Sequence, residues 1–134
     1  MKHIFMAALA VSVFAVPLWA DEVRPDTSGW FENPAKLDQR GGEDIYRAVC
    51  AACHMPDGKG AQGAGMYPAL AGNHNLEFAD YPTHVVLNGL RAMPALGGQL
   101  DDAQIAEVVN YIRTSFGNSY VEDPATSDLV AASR

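Results

Sequence analysis

The chain has 134 residues, 49% hydrophobic and 19% charged, and its nine Lys plus Arg stand against sixteen Asp plus Glu for a formal net charge of −7. That length fits one domain, and the acidic balance argues against a nucleic-acid partner, because phosphates repel it. Two cysteines in all leave no room for a disulfide framework.

Residues 1–20 read as a signal peptide. Lys2 and His3 form a short basic start, Ile4 to Val16 are apolar except for Ser12, and Pro17-Leu18-Trp19-Ala20 precede an acidic Asp21-Glu22. The apolar run is shorter than the roughly 20 residues that span a bilayer, and no other long apolar run follows, so an integral membrane protein is not expected. Residues 21–41 read as an N-terminal arm, broken by Pro25, Gly29, Pro34 and Gly41-Gly42. Trp30-Phe31 within it is expected to pack back onto the domain, with a partner-docking patch as the alternative.

A first helix is predicted from about Gly42 to Ala52, with Ile45, Val49 and Ala52 forming its apolar stripe and Tyr46 beside it. It ends in the most informative stretch of the chain, Cys50-Ala51-Ala52-Cys53-His54. Cys-x-x-Cys-His is the attachment signature of c-type haem. Two thiols three positions apart can each add across one vinyl group of a single haem, and the adjacent histidine then offers an imidazole nitrogen to the iron. Three other uses of Cys-x-x-Cys fit less well. A thioredoxin-like pair needs a strand leading into it and a βαβ setting. A structural zinc site needs a second ligand pair. A simple disulfide gives the histidine no role.

After the motif, Pro56, Gly58, Gly60, Gly63, Gly65 and Pro68 mark a loop that can lie against a flat cofactor. It lacks the Lys-Ser/Thr ending and flanking strand of a phosphate cradle. A middle helix is predicted over roughly Pro82 to Leu90, with Val85, Val86 and Leu90 as its buried face and Gly89 as its stop. The last helix has Asp101 as N-cap and Gln104 completing a capping-box pair. Ile105, Val108, Val109, Ile112 and Phe116 form its stripe, and Gly117-Asn118 end it. Residues 118–134 read as a polar, loosely ordered C-terminal tail, and no strand of useful length is expected.

An iron held by His54 has a sixth position to fill. Met55 adjoins His54 and cannot reach the opposite face, Met66 lies in the glycine loop, and a lone His74 or His84 is ordinarily a surface or capping residue. Met93 is the expected ligand. Pro94 biases it toward extended backbone, and Gly97-Gly98 turn the chain before the capped helix. Such a loop can wrap the far face of the haem.

Taken together, Cys50-x-x-Cys53-His54, Pro68-Ala69-Leu70-Ala71-Gly72, Met93-Pro94 and the final amphipathic helix resemble class I cytochromes c, over about Gly42 to Gly117. The resemblance implies an all-α cytochrome c fold, a cytochrome c domain over residues 42–117 and one covalent haem c. Cys50 and Cys53 would carry the thioethers, and His54 and Met93 would be the axial ligands. The Pro68 carbonyl would orient the His54 ring, and Leu70 would press on the haem. Gly42 or Tyr46 would meet the Tyr111-Ile112 region where the first and last helices cross, with Tyr67 and Arg91 near the propionates. The implied role is one-electron transfer rather than catalysis, in the periplasm, between redox protein partners. The likeness is closest to cytochromes serving periplasmic dehydrogenases of alcohols, sugar acids or phenols. A diffusible carrier and a dedicated haem subunit of a flavin or quinoprotein dehydrogenase both fit.

Overall fold

The computed structural model describes residues 36–63 and 65–134. The expected signal peptide and the Trp30-Phe31 pair lie outside the described residues. Three helical segments follow one another without a break, α1 (Gly42–Ile45), a π-type stretch (Tyr46–Cys50) and α2 (Ala51–His54). Then come β1 (Ala61–Gln62), β2 (Met66–Tyr67), a 3-10 turn (His74–Leu76), α3 (Asp80–Asn88), α4 (Asp102–Thr114) and α5 (Ser127–Ala132). The strands pair antiparallel, with Ala61 opposite Tyr67 and Gln62 opposite Met66. The fold is therefore all-α apart from this small hairpin, which the sequence reading lacks. Among the described residues, no helix is long and apolar enough to cross a membrane.

α4 starts at the expected cap. Asp101 Oδ1 accepts from the Gln104 N–H at 2.9 Å, and Gln104 Oε1 accepts from the Asp101 N–H at 2.9 Å. The Gln104 N–H and then Arg40 hold the Asp101 carboxyl below the usual carboxylate range. Gln104 is itself buried, and its Nε2 donates to the carbonyls of Leu37 and Gln39. One side chain thus starts a helix and fastens the chain entering α1. Ile105, Val108, Val109 and Ile112 fill the core with Ile45, Tyr46, Leu87 and Leu100.

α1 crosses α4 at Gly42. A Cβ there would lie 2.5 Å from Tyr111 Cβ and strike the Glu107 carbonyl, so only glycine lets the helices approach this closely. The expected stripe of Ile45, Val49 and Ala52 is corrected. Ile45 and Tyr46 are buried, Val49 is half-buried and Ala52 is exposed. The cause is the π-type turn, closed by the Ala51 N–H donating to the Tyr46 carbonyl. One extra residue in that turn rotates everything after it.

The middle helix begins two residues earlier than expected, and Gly89 (φ 74) ends it. Its buried face is Pro82, Thr83, Val86 and Leu87, while Leu90 lies beyond the helix and is exposed. Phe116 also falls outside its expected helix. α4 stops at Thr114, and Phe116 takes a left-handed φ of 57.

Residues 118–134 are not loose. Ala125 and Val130 are buried, and Thr126 caps α5 through the Leu129 N–H. Asn110 bonds Ala125 twice, at 2.9 and 2.8 Å. Arg113, 1% exposed, spreads its guanidinium over the carbonyls of Leu76, Glu77, Glu122 and Asp123. A planar fork of donors suits several carbonyls at once.

Candidate functional site

Cys50 closes the π-type stretch, and Cys53 and His54 lie in α2, so the motif sits on continuous helix. Neither cysteine is bridged. Burial pushes the Cys50 thiol up to about 11, the opposite of the acidic thiol that a thioredoxin-like pair requires. Among the described residues no group of three or more His, Cys, Asp or Glu is placed to hold a metal ion, which leaves the zinc reading without its remaining ligands.

Met55 ends α2 in a left-handed conformation (φ 64), and the loop turns back beneath the helix. The Gly58 N–H donates to the Met55 carbonyl at 3.1 Å, and the Gly60 N–H to the His54 carbonyl at 2.9 Å. Within this loop, Gly58 and Gly60 are positions that require glycine. Both have positive φ. A Cβ on Gly58 would enter the Phe116 ring, and one on Gly60 would lie 2.8 Å from the Pro68 carbonyl. The tight passage at Gly60 brings Pro68 under the histidine, with His54 Nδ1 2.9 Å from Pro68 O. When Nδ1 carries the proton and donates it, the other ring nitrogen keeps its lone pair for a metal. The Leu70 N–H then donates to the Gly58 carbonyl at 2.7 Å. Cys50, Cys53, His54, Pro68 and Leu70 therefore belong to one connected group.

Met93 stands on a separate loop. It exchanges two backbone hydrogen bonds with Leu90, at 3.0 and 3.1 Å, and the Leu96 and Gly97 N–H groups donate to the carbonyls of Val86 and Leu87 in α3. Among the described residues no hydrogen bond joins this loop to His54. What they share is the core, on which Cys50, Leu70 and Met93 all pack half-buried. Met55 is half-buried in the turn after His54, and the remaining candidates face outward. Met66 is 71% exposed, His74 meets the Tyr120 hydroxyl, and His84 meets the Asn88 amide. Tyr67 and Arg91 are exposed.

Several supports escape the sequence reading. The Tyr46 hydroxyl donates to the Met55 carbonyl at 2.6 Å, and burial pushes its pKa up to about 12. Asn118, expected only as part of a helix stop, bonds Leu70, Asn73 and Ile112. The apolar/polar pattern gives no sign of either contact. The only available signal is type, since a buried Tyr hydroxyl or Asn amide must find partners.

The donor set suits a covalently held haem: two unbridged thiols on a helix, a histidine with one ring nitrogen engaged, and a thioether on a second loop over the same core.

The chain also matches known proteins. The family described as cytochrome C oxidase, cbb3-type, subunit III, matches residues 37–112. The gluconate 2-dehydrogenase cytochrome c subunit of Pantoea cypripedii is 37% identical over 112 residues, 70% of this chain and 24% of that protein. The alcohol dehydrogenase (quinone) cytochrome c subunit of Gluconobacter oxydans (strain 621H) is 34% identical over 102 residues, 66% of this chain and 21% of that protein. Cytochrome c6 of Diacronema lutheri is 36% identical over 84 residues, 60% of this chain and 99% of that protein. The chain thus spans about a quarter of the dehydrogenase subunits' length and nearly all of that cytochrome c6.

Proposed function

This chain belongs to the cytochrome c family described as cytochrome C oxidase, cbb3-type, subunit III, and we propose from that premise that Cys50 and Cys53 anchor its haem while His54 and Met93 ligate the iron. Haem c, when bound, supplies a one-electron iron couple. Everything else falls to the chain. The Cys50 and Cys53 sulfurs hold the cofactor at two points of one helix. Pro68 fixes the His54 ring by accepting from Nδ1. Met93, as a thioether, favours the reduced state relative to a second histidine. With His54 and Met93 both serving as donors to the haem iron, the chain would leave no position for a substrate and would act as an electron-transfer protein. The Met93 loop is stitched to α3 through Leu96 and Gly97, which would hold the thioether donor in place. The observation that carries this reading is the helix-borne Cys50-x-x-Cys53-His54 with the His54–Pro68 bond.

In the matured protein, Met93→Ala should lower the midpoint potential by on the order of 0.1 V, given the roughly 0.8 V range that axial ligands span. It should also let the reduced protein take up carbon monoxide. A variant with wild-type potential and no carbon monoxide uptake would remove Met93 from the iron.

The chain would work in the periplasm, where a leader over residues 1–20 would deliver it, exchanging electrons with redox proteins. A second reading, a haem subunit of a periplasmic flavin or quinoprotein dehydrogenase, is favoured by the relatives named as dehydrogenase cytochrome c subunits. Sizing of the native extract separates the two. A free carrier elutes alone near its own mass, and a subunit co-elutes with a much larger dehydrogenase.

A further inference from the structure

A phenol hydroxyl is not needed to fill a core. Tyr46 is 1% exposed, and its ring already packs on Tyr111 at 5.6 Å and Phe116 at 4.9 Å between centroids. Phenylalanine would serve that packing equally well. The hydroxyl adds one short bond, 2.6 Å to the carbonyl of Met55, the residue directly after His54. Met55 needs such a bond. It is a side-chain-bearing residue at φ 64, a conformation that persists only where surrounding contacts enforce it.

His54 is thus gripped at three places. Its ring meets Pro68 O, its own carbonyl accepts from the Gly60 N–H, and the carbonyl of the next residue, Met55, accepts from the Tyr46 hydroxyl and from the Gly58 N–H. The Pro68, Gly60 and Gly58 contacts come from the loop that follows the histidine. From the helix that also carries Cys50 and Cys53, the Ala51 carbonyl accepts from the Met55 N–H at 3.1 Å and the Tyr46 hydroxyl donates to the Met55 carbonyl, so Tyr46 adds a side-chain tie between that helix and the turn after His54.

We propose that Tyr46 is a positioning residue for His54: its hydroxyl locks the strained Met55 turn and thereby sets the orientation of the imidazole presented to the haem iron. The inference rests on the reading of His54 as an iron ligand. Removing the hydroxyl while keeping the ring takes away the shorter of the two bonds at the Met55 carbonyl and leaves the Gly58 N–H alone to hold it, so the turn loosens and the imidazole plane follows it. Tyr111 is the matched control. It belongs to the same aromatic cluster, and among the described residues its hydroxyl makes no hydrogen bond.

The test uses proton NMR of the matured ferric protein, comparing wild type, Tyr46→Phe and Tyr111→Phe. Tyr46→Phe should change the pattern of hyperfine-shifted haem methyl resonances, which reports the imidazole plane. It should also speed exchange of the His54 Nδ1–H and Gly58 N–H by about tenfold, the scale of one lost hydrogen bond. Tyr111→Phe should leave both as in wild type. A Tyr46→Phe protein with unchanged methyl pattern and exchange, differing only in melting temperature, overturns the proposal. If that variant does not mature, the wild type decides. A slowly exchanging Tyr46 hydroxyl proton with a cross-peak to Met55 supports the inference, and its absence overturns it. Wild-type His54 ring protons without hyperfine shift would overturn the ligation reading itself. Shifted ring protons with an unaltered Tyr46→Phe pattern would overturn the role of Tyr46 alone.

Discussion

Asn118 shows how much one side chain can hold together. It is 8% exposed. Its Oδ1 accepts from the Asn73 N–H at 3.1 Å, and its Nδ2 donates to the carbonyls of Leu70 and Ile112, both at 2.8 Å. It ties the end of α4 to the loop that carries Pro68 and Leu70, and so it supports the floor of the His54 site. Asn118→Ala would strand one buried and two half-buried backbone groups, a cost of about 2–4 kcal/mol. The thermal midpoint of the holoprotein should drop by roughly 10 °C or more, and an unchanged midpoint would show that the loop is held by other contacts. In the sequence Asn118 looks like punctuation after Gly117. Its length of reach, 45 and 48 positions back along the chain, has no signature in neighbouring residues. Cys50, Cys53 and His54 are legible for the opposite reason. Their chemistry depends on spacing along a single helix, which the chain states directly. Pro68 and Met93 become legible only through the resemblance or through a proline's effect on its neighbour.

Among the elements, those defined by short-range rules are the ones the sequence describes well. The capping box of α4 involves positions three apart, so Asp101 and Gln104 announce it, and Ile105, Val108, Val109 and Ile112 follow at helical period into the core. Gly89 likewise stops α3, because a left-handed residue ends a helix wherever it lies. Periodicity misleads where the helix itself changes pitch. The π-type turn at Tyr46–Cys50 carries Val49 and Ala52 away from the buried face, while Tyr46 at its start stays buried with Ile45. From there the Tyr46 ring packs against Phe116 and its hydroxyl reaches Met55. Phe116 counts as one more turn of α4 by spacing alone. It lies past the helix end, where its ring closes over Gly58.

For the molecule as a whole, the largest correction concerns residues 118–134. Their polar composition suggests a loose tail, yet they return to the helices and are fastened there. Arg113 does so from within, donating to two carbonyls of the 76–77 turn and two of the 122–123 segment. Arg134 does so from outside, reaching Asp102 at 2.6 Å and the carbonyls of Gly97 and Leu100. Side-chain bonds to distant carbonyls carry no local pattern, so hydropathy cannot reveal them. The Arg134 contacts also steady the segment that follows Met93, and with the stitching to α3 they frame the second proposed donor.

The whole account depends on one porphyrin joined through sulfur to Cys50 and Cys53. The most direct measurement is the intact mass of the purified, matured protein under denaturing conditions, after extraction with acidic acetone. The expected result is a coloured polypeptide heavier than its amino acids by one haem, with the mass and colour retained through extraction. A colourless chain at the mass of its own atoms, or haem that leaves with the solvent, would contradict it.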